Sequence, residues 1–355
     1  MRLLVVKLSS LGDVVHTFPA LTDAAAALPG LDVDWAVEEA FAPVARLHPA
    51  VRRTISVPLR RLKKHPFAAW RSGEAAAVRR ALGETRYDLV IDAQGLMKSA
   101  LVAACANGPR HGFDRASARE PLATLLYAET HHVPETEHMA TRIRKLFAAA
   151  LGYRLDRRPA DTGLSPATSA RAPYLVFLHG TTWPTKTWTR EGWRALASHA
   201  AAEGLRVLLF AHGAAETARA RAIAEGLPAV ELLPPQSLDT LAPLLQAAAG
   251  VVSVDTGLGH LAAAYGVPTL GLYGPTNPRL TGLFGARVRE LPSTRACAPC
   301  EKARCRIAPD TRDGPPCLAD LGAGAVWQAL KALQAAPAVD KNRKSMAHEA
   351  GLPDR

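Results

Sequence analysis

Three short loops hold most of the residue types in this chain that can do chemistry, and each one follows an apolar, strand-like run and opens a helix-like one. The first is Ser9-Ser10-Leu11-Gly12-Asp13, a single carboxylate beside two hydroxyls. Ligands of open α/β sheets bind at the carboxyl ends of the strands, where this loop falls. An Asp in that place either caps the helix, its ordinary role, or accepts a proton from a reacting hydroxyl. The second loop runs from Gly180 to Trp188, and Thr181, Thr182 and Lys186 in reach of a helix N-terminus are the makings of a phosphate site. Amides and helix dipole favour anions there, and Lys186 adds a full charge. Taken only as a solvated turn capped by Thr189, the loop leaves Trp183 and Trp188 unexplained. The third loop is Val254-Asp255-Thr256-Gly257-Leu258-Gly259-His260, whose two glycines let a ligand approach the backbone. A lone His260 is more often packed than liganding, but three such loops at corresponding edges point to one binding function. Glu216, just past the run LRVLLFA, stands where an acidic side chain can accept hydrogen bonds from a ribose or a base. None of the loops is a GxGxxG or a GxxxxGK[ST], which argues against a dinucleotide dehydrogenase and a P-loop NTPase.

The elements that must carry these loops form two βα series. LLVVKL (3–8), DVDWAV (32–37) and YDLVIDA (87–93) are strands of the first, with a helix over about 14–28 and a mostly helical stretch over about 99–147. YLVFLHG (174–180), LRVLLFA (205–211), AVELL (229–233), GVVSVD (250–255) and PTLGLYG (268–274) are strands of the second. At 355 residues two domains are expected. We place them at 1–157 and 174–318, joined by a Pro-, Ser- and Thr-rich linker at 158–173. A C-terminal helix at 319–336 and a disordered tail at 337–355 follow.

A formal charge of +11 means attraction to polyanions: nucleic acid, an anionic membrane face or phosphorylated small molecules. Zinc-finger spacing, aromatic sheet motifs and basic heptad helices are missing, so nucleic acid is not an expected partner. The opening apolar run stops at Ser9 and reads as a buried strand rather than an export signal. No run reaches the roughly 18 apolar residues that span a bilayer, so a cytoplasmic protein is expected. Cys297, Cys300, Cys305 and Cys317 contain one CxxC pair, but the second pair lacks that spacing and no histidine is near. Reduced cysteines without metal are expected. The run Arg60-Arg61-Leu62-Lys63-Lys64-His65 is either a solvated loop or an anion-docking surface.

Together KLSSLGDVVHTFPAL, DAQGLMKSAL, HGTTWPTKTW and SVDTGLGHLAAAYGVPTLGLYGPTNP resemble the heptosyltransferase family of glycosyltransferases, from Lys7 to about Gly285. The resemblance implies an α/β GT-B fold, two Rossmann-like domains whose parallel sheets face each other across a cleft. It also implies inverting transfer of L-glycero-D-manno-heptose from ADP-heptose to the first Kdo of Kdo2-lipid A. Family members that add the second heptose usually have a tryptophan-containing loop in place of SSLGD and lack the DAQG segment. The branch that adds the first is therefore favoured, with the second-heptose or another core branch as the alternative. By the same resemblance Asp13 is the catalytic base. Ser9, Ser10, Thr181, Thr182, Lys186, Glu216, Gln236, Asp255, Thr256, Gly257, Leu258 and His260 fall on donor positions. Gln236 stands where close relatives often have Met. Arg60, Arg61, Lys63 and Lys64 become acceptor-docking residues, placing the protein peripherally on the cytoplasmic face of the anionic inner membrane. No cofactor or metal is implied.

Overall fold

The structure, a computed structural model, describes residues 1–64, 73–155, 160–165 and 172–336. The tail expected at 337–355, half of the expected linker (158–159 and 166–171), His65 and the side chain of Lys63 lie outside the described residues. Contacts divide the described chain into two compact units, one comprising residues up to 164 and the other residues from 165 onward.

The first unit is built on a parallel sheet of strands β1 (Arg2–Val6), β2 (Asp32–Glu38), β3 (Val51–Val57), β4 (Leu89–Asp92), β5 (Arg110–Phe113) and β6 (Glu129–His131), in the order β3-β2-β1-β4-β5-β6. The second has β7 (Ala172–Leu178), β8 (Arg206–Leu209), β9 (Val230–Leu232), β10 (Ala248–Val254), β11 (Thr269–Tyr273) and β12 (Val288–Pro292), in the order β12-β11-β10-β7-β8-β9. Counted from its own first strand, each sheet runs 3-2-1-4-5-6, the doubly wound nucleotide-binding order. The winding reverses between β1 and β4 in one unit and between β7 and β10 in the other, and ligands bind at such switch points. The loops after β1, β7 and β10 are the ones singled out above.

Central strands declare themselves because both faces are covered. Leu3, Leu4, Val5 and Val6 in β1 are fully buried, as are Val251 and Val252 in β10. Such strands read as unbroken apolar runs. Edge strands do not, and three of them departed from expectation, as did β5 beside the edge strand β6. The stretch 99–147, expected to be mostly helical, has helices Met97–Ala104 and Met139–Leu151 at its ends, but β5 and β6 lie between them. These strands are four and three residues long and polar, so pairing with the sheet specifies them rather than their own pattern. β12 lies at the far edge of the second sheet, and β3 carries Arg52 and Arg53. Both arginines donate to the buried carboxylate of Asp34 in β2, each at 2.7 Å, with Tyr87 Oη also donating at 2.8 Å.

The second unit packs Trp188, Trp193 and Phe177 into its core, with ring centroids 5.0 and 5.3 Å apart. Each such side chain contributes about 1.5–3 kcal/mol of burial free energy. In the first unit, Gly163 (φ +70°) lies against Thr22 and His48, where a Cβ would come within 2.7 Å of His48 Nε2. His48 accepts from the Ala50 amide at Nδ1 (3.2 Å) and bonds Thr22 Oγ1 through Nε2 (3.0 Å), so the neutral ring is fully used. Burial pushes its pKa from 6.5 down to about 4. The unfolded chain therefore protonates first. This stabilisation is complete above about pH 6.5 and is lost as pH falls toward about 4, by about 3 kcal/mol. Melting temperature followed over this range should fall more steeply for the parent than for His48→Gln, and parallel profiles would contradict the assignment.

Candidate active site

The helix Leu11–Ala27 starts earlier than its apolar periodicity indicates, with Ser10 as N-cap and Asp13 in the first turn. Asp13 Oδ2 accepts from the Ser10 amide at 2.8 Å and from Ser10 Oγ at 2.9 Å, a capping arrangement. Its other oxygen lies 3.7 Å from Lys7 Nζ, and a quarter of the side chain (24%) is exposed. Capping and proton acceptance are therefore compatible: one oxygen is committed to the backbone and the other faces a cation. Burial raises the carboxyl pKa, but Lys7, the Ser10 bonds and nearby His16 outweigh it and hold Asp13 below its ordinary value. It is ionised at neutral pH.

Lys7 is almost wholly buried (2% exposed) and donates to the Ala93 carbonyl at 3.0 Å. Burial lowers its pKa, with Asp13 and Asp92 pulling it back up. Asp92, at the end of β4, is itself buried and held by Tyr127 Oη at 2.7 Å, Ser99 Oγ at 2.8 Å and the Gln94 amide at 2.9 Å. The ends of the switch-point strands β1 and β4 thus share one charge network. Ser9 Oγ accepts from Lys98 Nζ at 3.1 Å, and Gln94 bridges the loops by accepting from the Leu8 amide at 2.7 Å. Assigning roles to Ser9, Ser10 and Asp13 alone overlooked Lys7, Asp92, Gln94 and Lys98. The available signal was a lysine inside an otherwise apolar strand.

In the second unit the loops after β7 and β10 meet. Lys186 Nζ is 2.7 Å from Asp255 Oδ2 and 4.5 Å from the centre of the Trp183 ring. Thr181 Oγ1 donates to the Asp255 carbonyl at 3.3 Å, and Thr276 Oγ1, missed in the sequence, donates to Oδ2 at 2.8 Å. His260 Nε2 lies 3.8 Å from Oδ1. Burial opposes ionisation of Asp255, but His260 and Lys186 overcome it and hold the carboxyl far below the usual range. Gly259 packs on Ser253 so closely that a Cβ would come within 2.4 Å of its hydroxyl. Thr256 is the N-cap of the helix Gly257–Ala264 and makes no side-chain capping bond, and Leu258 lies in that helix's first turn.

Two expectations change. The helix that follows Lys186, Arg190–Ala202, does not lend its N-terminus to a phosphate: the Arg190 amide donates to Asp313 (2.8 Å) and the Gly192 amide to Thr189 (3.0 Å). Trp188 belongs to the core and needs no ligand to explain it. Glu216 is engaged locally, accepting from the His212 amide at 2.7 Å and lying against Gly180, where a Cβ would be 2.3 Å from its oxygen. Thr182 is exposed, and Gln236 is partly buried just ahead of the N-cap Ser237. In the basic run, Arg60 lies over the Phe41 ring at 5.2 Å, while Arg61 pairs with Glu39 (2.9 Å) and Glu74 (3.1 Å). Lys64 is exposed. The cysteines at 297, 300, 305 and 317 line one small cavity with Thr185.

Residues 75–309 match the family described as glycosyltransferase family 9 (heptosyltransferase). The chain belongs to that family. Among relatives of this family 9 enzyme, lipopolysaccharide heptosyltransferase 1 of Pseudomonas aeruginosa is 47% identical over 351 residues, covering 95% of this chain and 99% of its own. The solved structure of E. coli heptosyltransferase WaaC with ADP matches at TM-score 0.83 and 42% identity, covering 94% of this chain and all (100%) of that one. WaaC with ADP-2-deoxy-2-fluoro heptose matches at 0.80 and 41%, covering 94% and 99%. The two parallel sheets are those of the GT-B fold, and the chain is a glycosyltransferase. No helix among the described residues is long and apolar enough to cross a membrane.

Proposed function

We propose that this glycosyltransferase moves L-glycero-D-manno-heptose from ADP-heptose to the first Kdo of Kdo2-lipid A, inverting the anomeric centre, in building the lipopolysaccharide inner core. The N-terminal unit takes the acceptor and the C-terminal unit the donor. The observation that carries this proposal is a charged group at each sheet's switch point: an ionised Asp13 beside Lys7 in one unit and Lys186 paired with Asp255 in the other. Inversion by direct displacement needs one base for the acceptor hydroxyl and no covalent intermediate, and a single carboxylate supplies it. Lys186, Thr181 and Thr182 stabilise charge developing on the leaving ADP, and the first turn of the helix after Thr256 offers amides to the same anion. Asp255 and His260 hold Lys186 in place. Glu216, Gln236, Gly257 and Leu258 contact the nucleoside or sugar, and Ser9 and Ser10 border the reacting centre. Incubation with ADP-heptose and Kdo2-lipid A should release ADP. No release above the acceptor-free control would refute the assignment, and release only with an acceptor that already carries heptose would move the enzyme to another core branch.

The basic run docks the anionic acceptor and brings the enzyme to the cytoplasmic face of the inner membrane as a peripheral protein. Arg61 is already neutralised by Glu39 and Glu74, so Arg60, Lys63 and Lys64 carry most of this effect. Changing these three to Ala should raise the acceptor KM and weaken binding to vesicles containing anionic lipid, by about 1 kcal/mol per residue. Arg61→Ala alone should do less. Vesicle binding equal to the parent's would remove the run from acceptor docking.

A further inference from the structure

We infer that His111, Glu129 and His131 form a binding site for a divalent metal ion of the zinc, cobalt and nickel class, at the outer edge of the first sheet. β5 and β6 are parallel, with His111 opposite Glu129 and Phe113 opposite His131. Side chains two residues apart on a strand share a face, so Glu129 and His131 lie on the face occupied by His111. One donor atom from each of the three lies within 4.8 Å of the others, and no other group of three or more His, Cys, Asp or Glu among the described residues does this. His111 Nδ1 is 3.1 Å from His131 Nε2, and the Glu129 oxygens are 3.6 Å from His111 Nε2 and 4.0 Å from His131 Nε2. Two nitrogens bound to one tetrahedral ion at about 2.0–2.1 Å stand roughly 3.3 Å apart, close to the spacing of the two rings. The imidazoles are largely buried (14% and 10% exposed) while the carboxylate is 62% exposed. Glu129 is therefore free to swing the short distance onto an ion, and the remaining positions open to water.

The donor set fits that class. Two imidazoles and one carboxylate suit borderline cations rather than Mg²⁺ or Ca²⁺, which want oxygen ligands. A three-residue strand at a sheet edge is weakly held by its own ladder, and an ion bound to both strands would cross-link it to β5. The chain's cysteines are possible competitors for zinc, so Ni²⁺ and Co²⁺ serve as the primary probes, added to the reduced, full-length, metal-stripped protein.

One equivalent of Ni²⁺ should bind, with at least tenfold weaker binding in His111→Ala and in His131→Ala. Co²⁺ should perturb the NMR signals of these two rings directly in the parent protein, a readout that needs no variant. Amide exchange in residues 129–131 should slow on loading. Metal-free Tm values matching the parent's would certify that the variants fold, and His111→Gln would serve if His111→Ala does not. Absence of stoichiometric uptake, uptake unchanged by both histidine variants, or a cobalt spectrum dominated by thiolate charge transfer would each overturn the site. The last two would mean that the ion sits elsewhere.

Discussion

Asp13→Asn should lose about 10² to 10⁴ in kcat while ADP-heptose still binds, because the substitution removes a proton acceptor and leaves the nucleotide loops of the other unit untouched. Asn can still accept the Ser10 bonds, and caps at a helix start tolerate it about as well as Asp. It cannot balance the buried Lys7 ammonium, 3.7 Å away, to which an amide would offer donors or a weak dipole in place of a charge. A modest loss of stability, of order 1–3 kcal/mol and softened by Asp92 and the Ala93 carbonyl, should accompany the catalytic loss. Melting temperature, donor affinity and kcat measured on one preparation separate these effects. If Asp13 were a cap only, the stability change would appear without the kinetic one, and a kcat within about threefold of the parent's would strike Asp13 from the mechanism.

Lys186→Ala is expected to weaken donor use about ten- to a hundredfold, the size of a charge-assisted hydrogen bond to the pyrophosphate at about 1.5–3 kcal/mol. Part of that loss comes from the neighbour. Without the ammonium, Asp255 is left with His260 and Thr276 against its buried negative charge and faces the incoming phosphates directly. Lys186→Arg should recover part of the loss. The double change Lys186→Met with Asp255→Asn distinguishes the two contributions. If Lys186 matters only by neutralising Asp255, the double variant binds ADP-heptose like the parent. If Lys186 contacts the pyrophosphate, the double variant stays weak. Unchanged turnover of Lys186→Ala at limiting ADP-heptose would contradict a donor role altogether.

Much of the architecture could be read from the sequence where local chemistry coincides with global position. β1, β10 and β11 are apolar because a central parallel strand is covered on both faces. Their ends are legible because glycines, hydroxyls and lone charges interrupt the apolar runs at the point where the chain turns out of the sheet. β3, β6 and β12 were not legible, since an edge strand half exposed to water needs no apolar pattern, nor was β5, a four-residue strand whose first two residues are polar. For the same reason the His111–Glu129–His131 cluster could not be found by spacing: Glu129 and His131 are neighbours in sequence, but His111 joins them only through strand register.

The sequence by itself determined the two doubly wound units, the three loops at their strand ends, and Asp13 and Lys186 as the charged groups in those loops. These follow from short-range rules: the period of burial, the turn residues and the family pattern they compose. The tertiary structure alone decided what each charge faces. It set Lys7 beside Asp13 and within the field of Asp92, seated Lys186 on Asp255, occupied the Arg190 helix start with Asp313, and spent Arg61 on Glu39 and Glu74. The reason is physical. The free energy of a charge depends on its solvation and on partners within a few ångströms, and those partners come from strands and loops that lie far apart along the chain.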